Sequence, residues 1–295
     1  MSQNPTDGVG ISSPYGTLAV LGAGTMGEAI TSATLAAGRP RQHVTVTARS
    51  PERLAALADR HKIRAITSNP EAVRDADLVL VSVKPAQCAG VLKEIAPHLQ
   101  PSAVVVSVVV GWTTDAVASH LPAGTAVVRV MPNIGALVGA SMSVLSAGSA
   151  CSQEQLAQVT ELMSDAGEVL VCSESLHDAA AIVCGGTPAL LFSFIDAVIE
   201  GAVSLGLSRA TATHLAVQTF VGSSSLIAQT GEHPVVLRER VSSPGGAAIH
   251  GLMEFDRLGV RPAVVASVRS CYARAGELGG RPVVTIRNDS GSTPR

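Results

Sequence analysis

Aromatic side chains are the scarcest class in this sequence: one Trp, two Tyr and four Phe among 295 residues. Single-stranded nucleic acid is gripped by stacking bases on such rings, so this composition argues against that partner. The charge balance removes the remaining case for nucleic acid. Lys and Arg number 21 against 23 Asp and Glu, which leaves no cationic excess to hold a polyanion. Lysine is rare, with Lys62, Lys84 and Lys93 making up the set. The five cysteines (Cys88, Cys151, Cys172, Cys184 and Cys271) show no C-x-x-C spacing and no paired framework, as expected of reduced thiols in a cytoplasmic protein. His177, His214 and His250 lack metal-ligand spacing, so no metal is expected. Residues 1–16 have no apolar stretch of the signal-peptide kind and read as a polar tail, as do residues 282–295. The longest apolar run, Ala103 to Val110 with one serine, is far too short to cross a bilayer, so no membrane partner is expected.

What is abundant is small and apolar. Apolar residues make up 46 % of the chain, mostly Ala, Val and Leu, and the mean hydropathy is positive. Such a composition favours tight helix and sheet packing, with surplus apolar surface suited to burial between subunits. The length allows about two domains.

The N-terminal half alternates buried strands with amphipathic helices. Leu18–Leu21, Val44–Thr47, Asp77–Val83, Val104–Val110, Ala126–Val130, Met142–Leu145 and Glu168–Val171 read as strands. Helices are expected at Pro51–His61, behind a Ser50 N-cap, at about 85–96, after Thr113, and at Ser152–Asp165. This alternation predicts a doubly wound α/β fold of Rossmann type, with a parallel sheet covered on both faces, over residues 17–173. Beyond it, long Ala-, Leu- and Val-bearing stretches at 175–183, 187–206, 209–229, 245–257 and 262–278 predict an all-α C-terminal domain over 174–281.

The chemistry begins at Gly22-Ala23-Gly24-Thr25-Met26-Gly27, a G-x-G-x-x-G turn between a buried strand and a helix. That context makes it a dinucleotide-binding fingerprint. Gly22 permits the tight turn, Gly24 admits a pyrophosphate, Gly27 allows close helix–strand packing, and the amides opening the helix face the phosphate charge. A NAD site places a carboxylate at the end of the second strand to hold the ribose hydroxyls. Here that position reads Thr47-Ala48-Arg49-Ser50. A guanidinium flanked by hydroxyls suits a 2′-phosphate, which favours NADPH with NADH as an alternative. Val83-Lys84-Pro85 closes a later strand at the same carboxyl edge. Far downstream, Ser242-Ser243-Pro244-Gly245-Gly246 is a turn opening a helix; it reads equally as an anion site or as an N-cap followed by proline.

Taken together, G-A-G-T-M-G, T-A-R-S, V-K-P, R-V-M-P-N at 129–133 and V-S-S-P-G-G at 241–246 resemble the pyrroline-5-carboxylate reductases in order and spacing, over about 17 to 280. The resemblance implies an N-terminal dinucleotide domain and a helical domain that pairs two copies, often built up into decamers. It implies reduction of the cyclic imine 1-pyrroline-5-carboxylate to proline by NAD(P)H. Met131, Pro132 and Asn133 would flank the nicotinamide, and the loop Ser243 to Gly246 would hold the substrate carboxylate.

The sequence departs from the pattern at substrate positions. Ala247 and Ala248 follow S-P-G-G, where the family usually has a threonine at the second position to hydrogen-bond the imine nitrogen. Cys184, Gly186, Thr187 and Leu190 replace the usual residues of S-G-S-G-P-A-Y, and Gly135 stands where a proline is usual. Thr187 is the candidate replacement hydroxyl, and with Ser243 it forms the expected catalytic pair. Three readings follow: the default reductase, a relative acting on another imine in specialised metabolism, and an NADPH-binding paralogue without turnover. The β-hydroxyacid dehydrogenases share the glycine turn but depend on a lysine in the second domain, and no lysine follows Lys93.

Overall fold

The structure, a computed structural model, describes residues 16–278. The tails expected at 1–16 and 282–295 lie outside the described residues, Gly16 excepted. Within that range the chain divides into two compact units. One runs to Gly185 and takes in the end of the last helix from Ala275; the other spans Gly186–Arg274.

The first unit is an eight-stranded sheet in the order β3-β2-β1-β4-β5-β6-β7-β8. Its strands are β1 Leu18–Leu21, β2 Val44–Thr47, β3 Arg64–Ile66, β4 Leu78–Val81, β5 Val104–Ser107, β6 Ala126–Met131, β7 Ser141–Ala147 and β8 Gly167–Val171. Its helices are α1 Thr25–Ala36, α2 Pro51–His61, α3 Asn69–Val73, α4 Pro85–Ile95, α5 Thr114–Ala118, α6 Gln153–Ser164 and α7 Glu174–Ala181. Alternation of side chains along a strand explains the two covered faces. Leu18 and Val20 of β1 pack with Ile30 of α1, Leu57 of α2 and Val159 of α6. Ala19 and Leu21 face the other way, onto Val73 of α3 and Cys88, Leu92 and Ile95 of α4. The central strands β1 (LAVL) and β4 (LVLV) therefore read as continuous apolar runs, as a sheet covered on both faces requires.

The Ser50 cap forms as the sequence predicts, with the hydroxyl accepting from Arg53 N at 3.2 Å. Four features of this unit differ from the expectation. β7 runs antiparallel to β6, because the connection through Asn133–Ala140 is too short for a parallel crossover. β3 and α3 were not foreseen. β3 is three residues long, but Ser68 accepts from Glu71 N in the S-x-x-E pattern of a helix start. The strand read as Val104–Val110 ends at Ser107.

The second unit holds α8 Thr187–Ser204, α9 Arg209–Thr230, α10 Pro234–Arg240, α11 Ala247–Arg257 and most of α12 Val260–Leu278. α10 was not predicted. The interior of this unit is small, centred on Ile199, Ala212 and Ala216. Phe194 meets Phe220 and Phe255 edge-on, at 5.7 Å in each case. Much of its apolar surface is open, with Phe192, Val221 and Met253 each more than half exposed. A π-helical turn, Ile182–Gly186, joins α7 to α8. The resulting 31-residue helix, Glu174–Ser204, is long and apolar enough to cross a membrane by length and composition. Reading 175–183 and 187–206 as separate helices hid that length.

Candidate active site

Each glycine of the first turn meets a different demand. Gly22 has φ +86°, and a Cβ there would lie 2.7 Å from Val83 Cγ1 and 2.8 Å from Ser82 O. A Cβ on Gly27 would reach 2.8 Å from Gly22 O, so the helix can approach the strand only without one. Gly24 is different: a Cβ there would meet nothing within 4 Å. It is the N-cap of α1, and no side chain caps that helix. The site is open space in front of uncapped helix amides, which suits a phosphate.

A cleft of about 610 Å³ lies over this turn. Of the predicted cofactor residues, Gly22, Ala23, Gly24, Thr47, Arg49, Ser50, Val83 and Lys84 line it; Thr25, Met26, Gly27, Pro85, Met131, Pro132 and Asn133 do not. Arg49 and Lys84 are exposed. Thr47 Oγ1 donates to Asn69 Oδ1 at 2.7 Å and accepts weakly from Gly22 N at 3.3 Å. Asn69 in turn donates to Glu94 at 2.9 Å. Arg53 donates from Nε to Ala23 O at 3.1 Å and from Nη2 to Glu28 at 2.5 Å, bracing the turn from α2. Glu28 also pairs with Arg60 and His61. Partial burial raises the Glu28 carboxyl, but the hydrogen bonds from His61 and Arg53 outweigh it and hold the group below its usual value. Arg53, Thr67, Asn69 and Gln87 line the cleft without having been anticipated. For Arg53 the signal was its place three residues after the Ser50 cap; for Asn69 it was the Ser68-Asn69-Pro70 turn.

The carboxyl end of β6 carries the second group. Asn133 accepts from Gly135 N at 3.0 Å and donates from Nδ2 to Cys184 O at 3.1 Å. Cys184 Sγ donates to Met131 O at 3.4 Å, and burial pushes this thiol up to about 11, so it stays protonated. Pro132 is buried. Arg129, 6 % exposed, donates from Nη2 to Asp178 at 2.5 Å. Its Nη1 lies 3.6 Å from Glu174 and has no hydrogen-bond partner among the described residues. Glu174 accepts from Thr114 N at 2.7 Å. His177 bonds Ser146 through Nδ1 at 2.9 Å; burial first, then the charge of Arg129, lower it to about 4 against the pull of Asp178. Asp178 ties α7 to β6 through Arg129.

In the second unit, Gly246 is the N-cap of α11 and no side chain caps that helix. Gly245 has φ +71°, and a Cβ on Gly246 would lie 2.5 Å from Ser243 Oγ. Ser242 donates instead to Arg238 O at 2.7 Å. Ser243, Ala247 and Ala248 are exposed at the start of the helix. Thr187 is the first residue of α8.

Two family models match the chain. The family model described as pyrroline-5-carboxylate reductase dimerisation matches residues 174–278. One described as NADP oxidoreductase, coenzyme F420-dependent, matches residues 17–111. A curated pyrroline-5-carboxylate reductase of Corynebacterium melassecola is 42 % identical over 266 residues, covering 89 % of this chain and 98 % of that one. The chain belongs to the pyrroline-5-carboxylate reductase family. The Escherichia coli (strain K12) reductase is 35 % identical, covering 88 % of this chain and 96 % of its own. The solved structure of a pyrroline-5-carboxylate reductase from Coxiella burnetii superposes with a TM-score of 0.83 at 28 % identity, covering 89 % of this chain and 98 % of that one.

Proposed function

We propose that the chain is an NADPH-dependent reductase that converts 1-pyrroline-5-carboxylate to L-proline, acting as a homodimer in the cytoplasm. The observation that carries this reading is a glycine-turn cleft with Arg49 where a NAD enzyme needs a carboxylate, in a chain that also carries the S-P-G-G helix start of its family. The cleft fits the cofactor: open space at Gly24 and uncapped α1 amides for the pyrophosphate, and Arg49, Ser50 and Thr47 for a 2′-phosphate. Thr25, Met26 and Gly27 continue the turn, and Val83, Lys84 and Pro85 border the same edge. NADH serves as a weaker alternative. When bound, NADPH supplies the hydride.

The chain's own residues bind and orient. Met131, Pro132 and Asn133 border the nicotinamide. The Gly245 amide, the uncapped amides of Ala247 and Ala248 and the Ser243 hydroxyl hold the substrate carboxylate, while Ser242, tied to Arg238 O, and Gly246, whose amide donates to Ser243 O at 3.0 Å, shape the loop around it. The cyclic imine is basic enough to arrive protonated, so no acid is needed at nitrogen; positioning is the larger task. Thr187 offers the hydroxyl that Ala248 lacks. Held by these residues, the protonated C=N carbon would lie where a hydride from the bound cofactor could reduce it to the amine of proline.

The open apolar surface of the helical unit is where the second copy docks, in preference to lipid, in keeping with the dimerisation model that matches it. Assembly of such dimers into a decamer is the larger form. Ala248 favours one second reading, a different cyclic imine as substrate. NADPH oxidation followed at 340 nm with 1-pyrroline-5-carboxylate, and separately with six-membered cyclic imines, discriminates between the two.

A further inference from the structure

The π-helical turn Ile182–Gly186 lies against the segment that follows β6, and three contacts hold it there. Asn133 Nδ2 donates to Cys184 O at 3.1 Å and Cys184 Sγ donates to Met131 O at 3.4 Å. The third is steric. A Cβ built on Gly185 would fall 2.5 Å from Met131 Cε, 3.6 Å from its Cγ and 3.8 Å from its Sδ. Gly185 is not one of the glycines with positive φ, so its backbone would accept an L side chain. The glycine is required by the methionine alone. The clash involves the end of a flexible side chain, which can swing aside without disturbing backbone. π-Helical turns widen a helix by one residue and recur at functional sites; here the widened turn brings a glycine against Met131.

We propose that Gly185 is a positioning residue for hydride transfer: the space it leaves fixes where the Met131 side chain packs beside the nicotinamide. This rests on the assignment of Met131 to the nicotinamide's border. In the wild type, the Met131 methyl sits in the pocket left by Gly185. An alanine at 185 fills that pocket and drives the methyl out, toward or away from the reacting carbon, altering approach geometry without touching the pyrophosphate turn.

The test uses the full-length protein labelled with [¹³C]methyl-methionine, in which six methionines are present and Met131 is assigned by its loss in Met131→Leu. In the cofactor-free protein Gly185→Ala shifts the Met131 methyl resonance and leaves those of the distant methionines in place. Added NADPH shifts the same resonance in the wild type. In turnover, Gly185→Ala lowers kcat about tenfold, keeps KM for NADPH within threefold, and changes the primary isotope effect measured with 4-deuterated NADPH. In a Met131→Ala background it changes kcat less than twofold. Should Gly185→Ala alone lower the melting temperature, Met131→Ala/Gly185→Ala restores it. An unmoved Met131 resonance in Gly185→Ala, or an equal kcat loss in the Met131→Ala background, overturns the proposal. Lack of wild-type turnover with 1-pyrroline-5-carboxylate instead strikes the substrate assignment and leaves the resonance arms intact. A Met131 methyl that responds to Gly185→Ala but not to NADPH overturns the placement beside the nicotinamide.

Discussion

In the proposed function the cofactor choice turns on Arg49. It stands exposed at the end of β2, with Ser50 beside it and no carboxylate at the strand end. A guanidinium–phosphate fork contributes about 2 kcal/mol, so Arg49→Ser should raise KM for NADPH roughly tenfold to thirtyfold and leave KM for NADH nearly unchanged. Steady-state titration of both cofactors reads the result; parallel losses for both would remove Arg49 from the 2′-phosphate. Thr187 carries a parallel expectation. If its hydroxyl replaces the missing one at 248, Thr187→Val costs about 1–3 kcal/mol of transition-state stabilisation and lowers kcat/KM about tenfold or more. Unchanged kcat/KM would leave Thr187 a helix-start residue and nothing more. The steric demands on Gly22 and Gly27 and the place of Arg49 in the cleft were legible in the sequence, since the strand–turn–helix context of G-x-G-x-x-G and the end of β2 set them. Arg53 and Asn69 were not, because their roles come from what they touch: Ala23 O and Thr47 Oγ1.

Among the elements, α7 shows most clearly what the sequence conceals. Its helical character was plain from periodicity, but its buried ionic side chains were not. Arg129, Asp178, Glu174 and His177 are separated by up to 49 positions and come together only when α7 packs on β6 and β7. Burial holds His177 near pKa 4, below its ordinary 6.5. The unfolded chain therefore takes up this proton at a higher pH than the folded one does. His177 contributes full stability above about pH 6.5, and that contribution is lost as pH falls toward 4, by up to about 3 kcal/mol. Urea unfolding at pH 7 and pH 4.5 should show a smaller pH difference in His177→Gln than in the wild type; identical slopes would contradict the assignment. The antiparallel β7 and the π-turn were equally hidden. A strand's direction depends on the length of its connection, and a π-turn leaves no periodic signature over five residues.

For the molecule as a whole, the two-part organisation was readable because the pattern changes from short strands to long helices within a few residues. The extent of the exposed apolar surface was not, since an apolar helix facing a partner and one facing a core have the same composition. Val221 of α9 is 52 % exposed. We expect Val221→Glu to shift the protein from dimer to monomer in light scattering and to lower its melting temperature; an unchanged mass would place the interface elsewhere on the helical unit. Whether the Arg49-bearing cleft serves an imine substrate is read by a single assay. Purified full-length protein is mixed with 1-pyrroline-5-carboxylate and NADPH, absorbance at 340 nm is followed, and the product is identified by mass. Stoichiometric NADPH loss and proline formation are expected, with NADPH favoured over NADH. Absence of proline, together with ready NADPH oxidation by a six-membered imine, would contradict the proposed function.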